Sequence, residues 1–178
     1  KENYEPLHER IPLPAPYSIL VDSSSICNFK CFFCPMCRDK NTVKTKRVPG
    51  VMGLDLFRKI IDDIAEFGVP IKMLELGMHG EPFVNPHLAD LVAYAKEKPY
   101  LQRVSLVTNG SLLSPERAIP VLEAGLDQLD ISVNGTSDAH FYEIAGVEVD
   151  FEKYVQNIKY VYEHRQECIL TVKAMSEC

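Results

Sequence analysis

Apolar residues cluster in two rhythms along this chain. Short runs rich in Val, Ile and Leu, bounded by turn residues, predict strands at 18–22, 72–76, 103–108, 129–134 and 169–174. Between them the spacing becomes helical. Leu56, Phe57, Ile60, Ile61, Ile64 and Phe67 form one face of a helix that Gly68 can close. Asn85-Pro86 reads as an N-cap followed by proline, ahead of Leu88, Leu91, Val92 and Ala95. Ser114-Pro115-Glu116 repeats that start signal, Gly125 supplies the stop, and Pro120 predicts a kink between them. Asp150 caps a fourth helix, with Phe151, Tyr154, Val155, Ile158, Val161 and Tyr162 on its apolar side. Such β-α alternation implies an α/β fold with a parallel sheet and right-handed crossovers. A doubly wound sheet and a partial barrel both fit. Residues 1–17, with Pro6, Pro12, Pro14 and Pro16, read as an extended lead-in to a single core at 18–178.

Polar positions that interrupt the pattern carry the chemistry. In the fourth strand Asp130, Ser132 and Asn134 share one face, and Leu129, Ile131 and Val133 the other. A polar face on a buried parallel strand needs a cavity or partners, because unpaired buried polar groups are costly. Asn-Gly turns account for Asn109-Gly110 and Asn134-Gly135, but not for Ser132 or Asp130. The insert between the first strand and first helix, about residues 23–53, exceeds the usual βα loop. It holds Cys27, Cys31, Cys34 and Cys37.

Composition narrows the function class. The 178 residues are 46% hydrophobic and 25% charged, which suits one globular domain. A net charge of −6 argues against nucleic acid as the main partner. The basic stretch at 40–47 is interrupted by Asn41, Thr42, Val43 and Thr45 and reads as a solvated loop. No apolar run approaches the roughly 20 residues of a membrane span. The chain opens without Met and shows no secretory signal, so a piece of a longer, cytoplasmic protein is expected. Four cysteines crowded into one loop of a core-rich chain favour a metal site in a reducing compartment.

The spacing Cys27-x3-Cys31-x2-Cys34 lets three thiolates wrap one small metal centre. Three cysteines leave one iron of a four-iron cluster open, which is chemically useful. Cys37 offers a fourth thiolate and a closed site, either zinc or an electron-transfer cluster. On the cysteines alone the open and closed readings stand level. A thioredoxin-like pair is disfavoured by its mid-loop position. A zinc deaminase is disfavoured because the cysteines precede His79-Gly80-Glu81.

The run Cys27-Asn28-Phe29-Lys30-Cys31-Phe32-Phe33-Cys34 resembles the radical SAM superfamily pattern C-x3-C-x-aromatic-C. The resemblance extends from Ser18 onward. Gly80-Glu81-Pro82 matches part of the family's Gly-Gly-Glu-Pro motif, with His79 where the first glycine often stands. Thr108-Asn109 and Ser132 with Asn134 resemble the strand ends that meet S-adenosylmethionine (SAM). The resemblance implies a partial, TIM-like (β/α) barrel, with five of the usual six βα units visible. It implies a 4Fe-4S cluster on Cys27, Cys31 and Cys34. It also implies a SAM site formed by Phe33, Gly80, Glu81, Thr108, Asn109, Ser132 and Asn134.

Relatives often place an arginine after the fourth strand to hold the SAM carboxylate. The stretch Tyr142-Glu143-Ile144-Ala145-Gly146 has none, and Lys173 is the candidate replacement. The implied chemistry is reductive cleavage of SAM to a 5′-deoxyadenosyl radical that takes hydrogen from substrate. The run 79–86 is similar to members with a C-terminal SPASM or twitch domain, which act on peptides, sugars or other small metabolites. A flavodoxin or ferredoxin would supply electrons. Cys168 and Cys178 read as incidental thiols rather than ligands of an auxiliary cluster. The competing class is a non-catalytic four-cysteine iron–sulfur or zinc module.

Overall fold

The computed structural model describes residues 6, 8, 11–36 and 48–174. Cys37, Cys178 and the basic stretch at 40–47 lie outside the described residues. The strands are β1 (Ser18–Val21), β2 (Met73–Leu76), β3 (Val104–Thr108), β4 (Gln128–Val133) and β5 (Ile169–Ala174). They form one parallel sheet in chain order, β1-β2-β3-β4-β5. A doubly wound sheet would reverse direction at a switch point. The uninterrupted order therefore decides for the barrel-like alternative, here an open arc with β1 and β5 at its edges.

The helices are α1 (Leu54–Asp63), α2 (Leu88–Lys96), α3 (Pro115–Glu123), α4 (Asp138–Ala145) and α5 (Phe151–Glu163). Phe57 and Ile61 of α1, Leu91 and Val92 of α2, Val121 and Leu122 of α3 and Val161 of α5 join one buried cluster with Leu74, Leu76, Leu106, Leu129 and Ile131. Helices thus cover one face of the sheet. Strand alternation turns Glu75, Ser105, Asp130, Ser132 and Lys173 to the other, concave face.

Several sequence expectations change in detail. The first helix tightens into a 3-10 turn, Ile64–Phe67, before Gly68 ends it at φ +68°. Asn85 does not cap α2, whose N-cap is His87. Its side chain instead accepts from the His87 amide at 2.9 Å and donates to the Ser23 and Met52 carbonyls at 2.8 and 3.0 Å. Helix α3 runs through Pro120 to Glu123. Ser114 occupies the N-cap of α3 without a side-chain capping bond, whereas Asp150 caps α5 by accepting from the Lys153 amide at 2.9 Å. Helix α4 was not expected. Its start, Ser137 accepting from the His140 amide, and its stop, Gly146 at φ +64°, are ordinary signals, but eight residues give too few turns for a visible period.

Candidate active site

The loop after β1 is docked at several points. The Met52 amide donates to the Ser23 carbonyl and the Ser25 amide to the Gly50 carbonyl, both at 2.9 Å. The unexpected α4 provides the other anchor. Lys30 and Phe32 amides donate to the carbonyls of Ala145 and Ile144, at 2.8 and 3.1 Å. Phe29 is buried edge-on against Phe141, with ring centroids 6.0 Å apart. The metal-candidate cysteines sit between these anchors: Cys27 exposed, Cys31 buried and Cys34 between. A turn bond from the Cys34 amide to the Cys31 carbonyl, 3.0 Å, brings the last two together.

The turn after β2 closes against this loop. The Glu81 amide donates to the Ile26 carbonyl at 2.8 Å. Gly80 has φ +95°, and a Cβ there would lie 2.3 Å from the Ser24 carbonyl oxygen. Only glycine allows that approach. Asp22, just past β1, accepts from the Met78 and His79 amides at 3.0 and 2.8 Å and meets His79 Nδ1 at 3.0 Å. Burial opposes ionisation of Asp22, but those bonds outweigh it and hold its carboxyl below the ordinary value. Sequence reasoning missed this pair. A lone Asp after a strand carries little signal until the turn it bonds is in view.

Glu81 is 1% exposed. Its carboxylate accepts from Thr108 Oγ1 at 2.6 Å and from the Phe83 and Asn109 amides at 3.1 and 2.8 Å. Burial pushes its pKa up, against these three donors.

Strand ends meet the cysteines through side-chain amides. Asn109 Nδ2 donates to Asn28 Oδ1 at 2.9 Å and lies 3.8 Å from Cys27 Sγ. Its Oδ1 accepts from the Ser111 amide and hydroxyl. Asn134 Nδ2 lies 3.9 Å from Cys31 Sγ. Tyr154 of α5, also missed because it read as an ordinary core position, braces this corner by donating to the Asn109 carbonyl at 3.0 Å. Burial raises the Cys27 thiol, opposed by hydrogen bonds from the Phe29 amide and Asn109.

The remaining candidates stand further along the concave face. Ser132 is half-buried and in register with Lys173. Lys173 Nζ is paired with Asp130 Oδ2 at 2.6 Å. Phe33 is 41% exposed and packs edge-on against Phe32, centroids 5.5 Å apart.

Among the described residues, no three His, Cys, Asp or Glu converge tightly enough to hold one metal ion. A cluster of several irons spreads its thiolates wider than a single ion does. Three cysteines on one loop, two with amide donors aimed at their sulfurs, fit that requirement.

Comparison with known proteins agrees. The Radical SAM superfamily profile matches residues 21–174. An AdoMet-dependent heme synthase of Methanosarcina barkeri is 30% identical over 82% of this chain. A GTP 3′,8-cyclase of Cronobacter sakazakii is 28% identical over 73%. The chain spans 39% and 38% of the lengths of those two relatives. Among solved structures, Streptococcus suis SuiB bound to its precursor peptide SuiA covers 96% of this chain with TM-score 0.68 at 17% identity. Native anSMEcpe with bound AdoMet covers 88% with TM-score 0.66 at 20% identity. These account for 36% and 43% of the neighbours' chains and show the shared fold. Profile, relatives and site geometry converge: this chain belongs to the radical SAM superfamily, whose members use a 4Fe-4S cluster and SAM.

Proposed function

We propose that this chain cleaves SAM at a cluster held by Cys27, Cys31 and Cys34 and uses the product on a peptide, sugar or other small metabolite. The observation that carries the reading is the pair of amides, Asn109 and Asn134, reaching Cys27 and Cys31 Sγ from the ends of β3 and β4. They join the cysteine loop to the strand ends where α/β folds build sites. Held by Cys27, Cys31 and Cys34, the cluster would pass one electron from the reductant to SAM, and SAM, on losing methionine, would supply the radical chemistry that removes a hydrogen atom from substrate.

The chain's own residues divide the work. The three cysteines would hold the cluster and would leave one iron position open. Gly80 lets the turn after β2 approach the cysteine loop. The Glu81 carboxylate is committed to Thr108, Phe83 and Asn109, so it holds the turn, and the SAM ammonium falls to backbone carbonyls there. Ser132, Thr108 and Asn109 line the strand ends beside it, and Phe33 offers an apolar wall that limits water. Lys173 is better assigned to Asp130 than to the SAM carboxylate, since its ammonium is already paired. Small-molecule and peptide substrates both have parallels among neighbours in fold: BtrN is solved in complex with AdoMet and 2-DOIA, TM-score 0.63, and SuiB is solved bound to its precursor peptide SuiA, TM-score 0.68. A flavodoxin or ferredoxin is the proposed reductant.

The test is anaerobic reconstitution with iron and sulfide, followed by paramagnetic resonance of the reduced protein with and without SAM. A cluster signal that shifts on adding SAM is expected, together with loss of the cluster in Cys27→Ala, Cys31→Ala and Cys34→Ala. A cluster blind to SAM that also requires Cys37 would establish the closed four-cysteine alternative.

A further inference from the structure

We propose that the concave face of the sheet carries a floor for a primary amine, with Glu75 as its anion and Ser105 as its second contact. This rests on the reading above, in which substrate lies within the arc of strands.

Register places the residues side by side. Glu75 on β2 is opposite Ser105 on β3, which is opposite Gln128 on β4. Two positions along, Asp130 is opposite Thr171 of β5. Strand alternation turns all five away from the helices. Their partners are unequal. Asp130 is engaged: Lys173 donates at 2.6 Å and Gln128 at 2.9 Å. Glu75, half-buried, has no hydrogen-bond or ion-pair partner among the described residues.

Ser105 is the independent observation. It is 3% exposed, and its hydroxyl finds no partner among the described residues. A buried hydroxyl without a partner is costly, and one standing between a carboxylate and an amide is placed for a ligand.

Charge selects that ligand. Glu75 and Asp130 against Lys173 leave one net negative charge on the floor. Burial and the Asp130 carboxylate both push Glu75 toward its protonated form, with Lys173 opposing, and a bound cation relieves that conflict. Leu20, in register with Glu75 and 50% exposed, adds an apolar ledge suited to the carbon frame of an amino sugar or lysine side chain. An ammonium donates three hydrogen bonds, enough for Glu75, the Ser105 oxygen and one more acceptor.

The test uses matched probes and ligand-observed NMR on the reconstituted protein. Glucosamine is compared with glucose, and Nα-acetyl-lysine amide with Nα-acetyl-norleucine amide. Preference for the amine of one pair supports the proposal and tells sugar from peptide. Glu75→Gln should weaken that binding roughly tenfold or more, and Ser105→Ala about two- to fivefold, with thermal unfolding showing both folded. Absence of any amine preference, or binding indifferent to Glu75→Gln, overturns it. Amine preference in a protein whose cluster ignores SAM keeps this floor and overturns the function proposed above.

Discussion

Glu81 and Thr108 are joined by a 2.6 Å hydrogen bond that ties the turn after β2 to the end of β3. The same threonine oxygen accepts from the Gly110 amide at 3.1 Å. A residue expected to greet the cofactor is therefore also a strut. Thr108→Val keeps the shape and removes the hydroxyl. It should cost about 1–3 kcal/mol, read as a lower urea midpoint, because a buried carboxylate loses one of three donors.

Gly80→Ala should be more damaging to the site than to the core. Its Cβ would press on the Ser24 and Ile26 carbonyls, at 2.3 and 2.9 Å, and φ +95° is strained for alanine. A stability loss of about 1–3 kcal/mol is expected. Displacement of the cysteine loop should also lower iron retention after desalting, measured as iron per chain. Wild-type iron content in a fully folded variant would count against that docking.

Asn109→Ala and Asn134→Ala test the amide–sulfur contacts. Donors to cluster sulfurs favour the reduced, more negative state, so each deletion should lower the reduction potential. A shift of some tens of millivolts is expected, about 60 mV being tenfold for one electron. Spectroelectrochemical titration measures it. Unchanged potentials would mean that the amides do not reach the sulfurs in the assembled site.

Asp130 gives a pH dependence. Burial alone would raise its pKa, but hydrogen bonds from Lys173, Gln128 and Thr171 prevail and hold it below the ordinary 3.8. A depressed carboxyl stabilises the fold above its unfolded value and loses that contribution as pH falls through the folded one. Denaturation midpoints should therefore decline below about pH 4, and Asp130→Asn should flatten that limb. Because Lys173 is 58% exposed, the difference should be small, about 1 kcal/mol or less.

Lys173→Met separates the two roles considered for that lysine. If it serves Asp130, SAM binding measured by equilibrium dialysis should change less than about threefold, within the range of a screened pair. A loss of tenfold or more would restore it as the carboxylate contact.

The sequence by itself determined the five strands, the starts of α3 and α5 at Ser114 and Asp150, the stop at Gly68, and the close spacing of Cys27, Cys31 and Cys34. Each depends on local information: a two-residue or 3.6-residue rhythm, a glycine able to take positive φ, or cysteines close together in the chain. It also marked Asp130 and Ser132 as polar residues on a face that had to meet something. Tertiary structure decided what lies far apart in sequence. Whether the sheet is singly or doubly wound depends on strand order, which a βα alternation leaves open. Asn85 faces Ser23 and Met52, and Asp22 faces His79, only because distant loops share the rim of the sheet. Glu81 becomes a brace and Lys173 a partner of Asp130 for the same reason. A side chain's bonds are set by what packs beside it, and no periodicity along the chain encodes that.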